Sequence, residues 1–534
     1  MKRNLMISAL GLCLATSCDS GPETGSSGPP PTSLLLVTID TLRADHLGCY
    51  GYERAGTPIM DGLAASGVRF KSANTVVPLT FPSHTSIMTG TIPPYHGVRD
   101  NASHRALPEL VTLAEVLKAA GFHTGAFTAA FVLDPIYGLD QGFDFYGATP
   151  QRMPEPQSEF EERSAAEVNL EATTWLKSLK DDRPFFMWVH YFEPHLPYPA
   201  KNALPARFKS RPYDAEINLA DQRLGELLKS MEQQGRREET LVVLTSDHGE
   251  SMNEHGEETH SYFTYEATLH VPLIFQHNSL ERGFISETRV SLIDIMPTVL
   301  EVFNLSPGDL PAPAASLVPD LHGQTSEPRP VYFESQAPLL SYGWSPIYGV
   351  SIGDTKYIRL PKSELYALTT DPGELNNIYA EDSADVQRLS AALDVLFEEN
   401  DSPERGAAAQ RELSGDERQK LANLGYVGTA GASSPEITLA DPKDGIERIR
   451  KESEVRHFLE HGELQDAERA LGELLREDPK NPIFNAHFGL LMMNYKRHGD
   501  AVPFLIKSID GGLDNATNYS NLGTCYFKIR SFEK

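Results

Sequence analysis

Ser33-Leu34-Leu35-Leu36-Val37-Thr38-Ile39-Asp40 is the stretch on which the fold turns. It is a short, continuous apolar run that stops at an acid, the composition of a strand buried on both faces inside a parallel sheet. Similar runs recur at 185–192, 241–247 and 271–275, and helical stretches such as 107–120 and 218–234 lie between them. Strands alternating with helices predict an α/β fold, a mostly parallel sheet sandwiched by helices. Ligands in such sheets bind beyond the carboxyl ends of the strands. Asp40 and the acid that closes 241–247 are therefore the first positions to inspect.

Upstream of this strand the chain changes character. Residues 19–32 are mostly Gly, Ser and Pro, a composition that makes a flexible linker rather than a core. Residues 1–18 carry Lys2 and Arg3, an apolar run from Leu5 to Ala15, and small residues before Cys18, the pattern of an export signal. Leu14-Ala15-Thr16-Ser17-Cys18 resembles a bacterial lipobox, although its leucine stands one place further from the cysteine than usual. That reading makes Cys18 a lipidated N-terminus, and the protein an exported, periplasmic one anchored to the membrane. The alternative is an ordinary cleaved signal with an incidental cysteine. No stretch reaches the roughly 18 apolar residues that a spanning helix requires.

Downstream, closely spaced strand-like runs at 331–334, 348–352 and 356–360 predict a small antiparallel subdomain that completes a catalytic domain over 33–385. Residues 386–445 read as a linker rich in Ala, Gly and Ser with room for one helix. From 446 to 534 a repeat emerges: Asp466-Ala467 returns as Asp500-Ala501, and Gly489 as Gly523, both after 34 residues (501 − 467 and 523 − 489). This is the tetratricopeptide period and predicts an all-α repeat unit, an incomplete array that offers a groove to a protein partner.

The net charge of −27 argues against a nucleic-acid partner, whose backbone needs clustered Lys and Arg. An anionic substrate must then be met by local positive charge, for which metal ions are suited. Cys13, Cys18, Cys49 and Cys525 form no paired spacing of the zinc or redox kind.

Three elements carry chemistry. Asp40 closes the first strand, Asp247-His248-Gly249-Glu250 closes the one that begins at Leu241, and Thr80-Phe81-Pro82-Ser83-His84 opens a helical stretch. Buried acids without cationic partners are costly and usually meet a metal or a hydrogen-bond network. A nucleophile at a helix N-terminus gains from the positive end of the dipole, as does the anion it attacks. Each element alone has a plain reading as a turn or helix start. Together they shift the balance towards a site.

These pieces, with His96-Gly97-Val98, Val271-Pro272-Leu273-Ile274, Asp294-Ile295-Met296-Pro297-Thr298 and the stretch 364–374, resemble sulfatase motifs in sulfatase order. The resemblance covers about 33–380 and extends to the wider alkaline phosphatase superfamily. It implies a divalent metal held by Asp40, Asp247 and His248, with Thr80 as nucleophile and fourth ligand. Coordination to a cation favours the alkoxide of a hydroxyl that is otherwise a poor nucleophile. In-line attack on phosphorus or sulfur then gives a covalent threonine ester, which water cleaves.

Here the chain departs from true sulfatases, whose motif places a cysteine or serine first and an arginine where His84 stands. Oxidation of that first residue to formylglycine is closed to threonine, whose β-carbon bears a methyl group. A threonine nucleophile is the pattern of phosphodiesterases and phosphoethanolamine transferases in the same superfamily.

Further candidates are Glu193 and His195 after the 185–192 strand, His255 and His260 beyond Asp247, His84, and Asn101. As a set they point to a second metal or to contacts with the ester's oxygens; singly, each histidine is explained by a structural hydrogen bond. Nitrogen ligands favour zinc or manganese over calcium or magnesium, as one ion or two. Arg43, Asp45 and His46 read as structural, paired among themselves. The sequence thus leads to a metal-dependent hydrolase of phosphate, phosphonate or sulfate esters. It leaves open a sulfate ester hydrolase working without formylglycine, a phosphoryl-group transferase acting on envelope glycans or lipids, and a degenerate domain serving as a repeat scaffold.

Overall fold

A computed structural model describes residues 28–101, 103–147, 162–198, 204–306, 308, 311, 313–414, 417 and 438–529. Cys18, the signal 1–18 and the spacer 19–27 lie outside the described residues. Among the described residues, no helix is long and apolar enough to cross a membrane.

The strands of the main sheet are β1 (Ser33–Ile39), β2 (Val68–Asn74), β3 (His123–Phe127), β4 (Phe145–Gly147), β5 (Phe185–Tyr191), β6 (Thr240–Ser246), β7 (His270–Gln276) and β8 (Phe284–Ser291). They are ordered β4-β3-β5-β1-β6-β7-β2-β8. β1 pairs parallel with β5 and β6, whereas β7 is antiparallel to both of its neighbours, so one of the expected strands runs against the rest. All residues of β1, β5 and β6 are buried. Leu34 and Leu36 face one core while Leu35, Val37 and Ile39 face the other. Each such side chain contributes about 1.5–3 kcal/mol by leaving water, which fixes this strand at the centre of the sheet.

Helices Pro58–Ala65, Ala165–Ser178 and Pro212–Gln233 cover one face, and Thr80–Thr89, Leu113–Ala119 and Ile295–Val302 the other. The stretch expected at 107–120 starts only at Leu113, where Thr112 and Glu115 form a capping box. The one expected at 218–234 begins earlier, with Pro212 in its first turn.

A second sheet is antiparallel: β9 (Val331–Ser335), β10 (Ile347–Ile352), β11 (Thr355–Arg359) and β12 (Glu364–Ala367). Helix Ala384–Asn400 buries Val386, Leu389, Leu393 and Leu396 against Val350, Tyr357 and Leu365 of this sheet. The folded unit therefore continues past 385 into the stretch expected to be linker. The described part of the C-terminal region holds five consecutive helices, Ile446–Glu460, Leu464–Glu477, Pro482–Asn494, His498–Asp510 and Ala516–Lys528.

Candidate active site

Register brings the site together. Ile39 lies level with Tyr191 on one side and Ser246 on the other, so Asp40, His190 and Asp247 gather at the carboxyl ends of three adjacent strands. The chain then turns sharply at Thr41, a β-branched residue held at φ 53° in the left-handed region. Such a conformation persists only when its surroundings enforce it. Here the Tyr213 hydroxyl donates to the Thr41 carbonyl (2.6 Å), and Leu42 N–H donates to Ser246 Oγ (2.9 Å).

Asp247 divides its oxygens. Oδ1 accepts from the backbone N–H of His248 (3.0 Å) and of Thr41 (3.3 Å), which leaves Oδ2 facing the cluster. His248 Nδ1 lies 2.9 Å from the Gly249 carbonyl and donates to it, which turns Nε2 towards the cluster. Nε2 stands 3.5 Å from Asp247 Oδ2, 3.7 Å from Asp40 Oδ1 and 3.4 Å from Thr80 Oγ1. Both oxygens of Asp40 and Oδ2 of Asp247 are buried without a hydrogen-bond partner among the described residues. Burial and the adjacent Asp247 push the Asp40 carboxyl well above its ordinary range. Burial also opposes ionisation of Asp247, but His248, first among the histidines that face it, holds its carboxyl below the usual value. Buried carboxylate oxygens left without a hydrogen-bond partner fit a divalent cation, and Asp40, Asp247, His248 and Thr80 are the residues that would hold it.

Thr80 opens helix Thr80–Thr89, where the dipole favours negative charge. Ser83 ties this end to the site by donating to the Asp247 carbonyl (2.7 Å). Asn101 accepts from Phe81 N–H (2.8 Å), and its amide nitrogen is left buried without a partner among the described residues.

His84 does something other than ligate. Its Nδ1 donates to the Thr80 carbonyl (2.7 Å), and its Nε2 accepts from Thr38 Oγ1 (2.9 Å), which itself accepts from the Trp188 indole (3.0 Å). Burial drives its pKa down to about 3, so a neutral ring fastens the backbone of Thr80.

His195 and His260 stand together, with ring centroids 5.2 Å apart, and His260 lies 4.4 Å from the ring of His248. Their third companion is Glu250, whose Oε1 is 3.0 Å from His260 Nδ1. Glu193 does not join them: its carboxylate caps helix Ala165–Ser178 by accepting from Ala165 N–H (3.2 Å). His255 does not join them either. It stacks on Tyr265 at 3.5 Å and bonds the Gly373 carbonyl (3.1 Å). Arg43 pairs with Asp45 as expected but also grips Glu254 (2.7 Å), and His46 pairs with Asp214 (2.8 Å) rather than with its sequence neighbours.

Two site residues escaped the sequence reading. His190 sits inside β5, where its apolar neighbours hide it. Its Nδ1 accepts from Ala129 N–H (3.4 Å), which aims Nε2 at Asp40 Oδ2, 3.6 Å away. Glu250 was visible two residues beyond His248, but nothing in the sequence paired it with His260.

The family model described as Sulfatase matches residues 32–305, just over half of the 534-residue chain. The chain is 28% identical over 336 residues to the ulvan-active sulfatase of Formosa agariphila, covering 54% of this chain and 65% of that protein, a little under two thirds of its length. It is 29% identical over 360 residues to human arylsulfatase A, covering 57% of this chain and 70% of that one. Among solved structures, the phosphonate monoester hydrolase of Agrobacterium radiobacter shares the fold with a TM-score of 0.56 at 20% identity, over 69% of this chain and 94% of the other. The chain belongs to the sulfatase family.

Proposed function

We propose that this chain is a metal-dependent hydrolase of sulfate, phosphate or phosphonate esters, acting through a covalent ester on Thr80. The observation that carries the reading is the convergence of Asp40, Asp247 and Thr80 on Nε2 of His248, 3.4–3.7 Å away. A divalent cation held there supplies positive charge that lowers the pKa of the Thr80 hydroxyl and offsets charge on the ester oxygens. Thr80 Oγ1 gives up its proton and bonds to the sulfur or phosphorus as the bond to the leaving oxygen breaks. The leaving oxygen takes a proton and departs as an alcohol. Water then cleaves the threonine ester and restores the hydroxyl. Asn101 Nδ2, a buried donor beside the nucleophile, suits an ester oxygen, and His195 and His260 suit the leaving-group side.

Relatives named for sulfate esters support sulfur, whereas a threonine that cannot become formylglycine supports phosphorus. The test is direct. Purified protein loaded in turn with zinc, manganese, calcium or magnesium is given a chromogenic phosphodiester, a phosphonate monoester and a sulfate monoester. We expect metal-dependent cleavage of at least one. A protein that binds no metal and cleaves none would instead be a degenerate scaffold.

The C-terminal helices support a tetratricopeptide reading. Leu464 and His498 begin helices 34 residues apart (498 − 464), as do Pro482 and Ala516 (516 − 482). A protein partner for this unit, and anchorage through a lipid on Cys18, remain part of the proposal.

A further inference from the structure

The segment after Glu250 doubles back on itself. Ser251 N–H donates to the Thr259 carbonyl (2.7 Å) and Asn253 N–H to that of Glu257 (2.9 Å), with left-handed backbone at Asn253, His255 and Gly256 making the reversal. One side of this 251–262 hairpin builds the site. Glu254 holds Arg43 at 2.7 Å, Arg43 in turn holds the Glu250 carbonyl at 2.9 Å, and His260 sits between Glu250 and the ring of His248.

The other side is seated on helix Ile446–Glu460. Gly256 comes so close to Ile446 that a β-carbon there would stand 2.9 Å from its Cγ1. Glu258 accepts a short hydrogen bond from Ser453. The Tyr262 hydroxyl meets that of Tyr342 (3.3 Å), which donates to Glu452 (2.7 Å) beneath Arg448, whose guanidinium lies 5.0 Å from the Tyr342 ring. The start of the helix is keyed as well, because a β-carbon on Gly445 would fall 2.0 Å from the Trp344 ring.

We propose that helix Ile446–Glu460 is a positioning element of the catalytic site: it clamps the 251–262 hairpin and so fixes His260 over the metal-ligand cluster. The first helix of the C-terminal unit is thereby part of the catalytic machinery, and anything that shifts that helix acts on turnover. The inference rests on the ester-hydrolase reading for its kinetic consequence but not for its mechanical one.

The test uses full-length protein carrying Ile446→Ala with Ser453→Ala. The control is Leu505→Ala, a buried position packed on Gly489 within the same helical unit and away from the hairpin. Displacements of an ångström at a reacting centre can cost two orders of magnitude, so the double variant should lose about tenfold in kcat. KM and bound metal should move less than about twofold, and the hairpin amides should exchange hydrogen about tenfold faster. Leu505→Ala should lower the melting temperature and leave kcat alone. Unchanged hairpin exchange in the double variant overturns the clamp. Faster exchange at unchanged kcat, or an equal kcat loss in Leu505→Ala, overturns its catalytic role. If the wild type cleaves none of the three esters, the proposed activity fails, and the exchange result decides the clamp by itself.

Discussion

Two regions of this molecule bury clusters of acids, and they do so in opposite ways. Between the two sheets, Lys356 is fully buried with its ammonium 2.7 Å from Glu374 and 3.2 Å from Glu266, and Arg289 reaches Glu266 at 3.2 Å. Burial raises the cost of ionising Glu266, but Lys356 and Arg289 outweigh it and pull its carboxyl far below the ordinary range. At the ends of β1 and β6, Asp40 and Asp247 are just as buried and have no lysine or arginine among the described residues within ion-pair distance. Asp40 is instead driven upward by burial and by Asp247 itself. The first cluster is electrically complete as folded. The second leaves carboxylate oxygens unpartnered, the difference expected between a structural ion network and the proposed metal-dependent site.

The largest expected effect breaks the second cluster at its reactive atom. Thr80→Ala removes the proposed nucleophile and leaves the three other proposed ligands in place, so turnover should fall by about 10⁴-fold or more while metal remains bound. Initial rates and metal content on the same sample check this. Loss of metal together with rate would make Thr80 a ligand first.

Next comes the contrast between the clusters. Lys356→Met strips the countercharge from two buried glutamates and should cost about 3–5 kcal/mol in urea denaturation, with or without chelator. Asp40→Asn should do the reverse in chelated protein and raise stability by about 1 kcal/mol or more, because it removes one of two repelling acids. Excess metal should then stabilise the wild type and leave Asp40→Asn unmoved. A chelated Asp40→Asn that is less stable than the chelated wild type would mean that Asp40 is already satisfied without a cation.

The same contrast explains what could be read from the sequence. Asp40, Thr80, Asp247 and His248 were legible because each closes a hydrophobic run or opens a helix, and short runs buried on both faces announce parallel strands. β2 and β8 are not legible, since Arg69, Lys71, Glu287 and Arg289 interrupt their apolar signal. β7 was found but not its direction, because composition carries no polarity. Glu193 and His255 misled because an acid or histidine near a site in sequence still needs a rotamer aimed at it. Glu193 turned to cap a helix and His255 to stack on Tyr265. His190 was missed for the converse reason: a histidine in the middle of a buried strand looks like core until register places it beside Asp40.

The molecule also buries an acid in a third way. Glu257, in the hairpin beside the site, is buried with neither a cationic partner nor an orphaned oxygen among the described residues. It accepts from the backbone N–H of Tyr262 (2.7 Å) and of Phe263 (3.1 Å). Burial outweighs those two bonds and raises its pKa from 4.5 to about 8, so the folded protein keeps a proton that the unfolded chain has lost across that window. The folded state thus binds more protons, and this residue's contribution to stability is complete below the unfolded value and declines as pH rises towards the folded one. Glu257→Gln stays neutral throughout and has no such slope. In chelated protein, its stability relative to the wild type should therefore climb between about pH 5 and pH 8, by about 1–3 kcal/mol. Urea denaturation at several pH values measures that difference. A difference that stays flat would mean that Glu257 is ionised in the folded protein, and that backbone donors alone sustain a buried carboxylate here as fully as Lys356 does elsewhere.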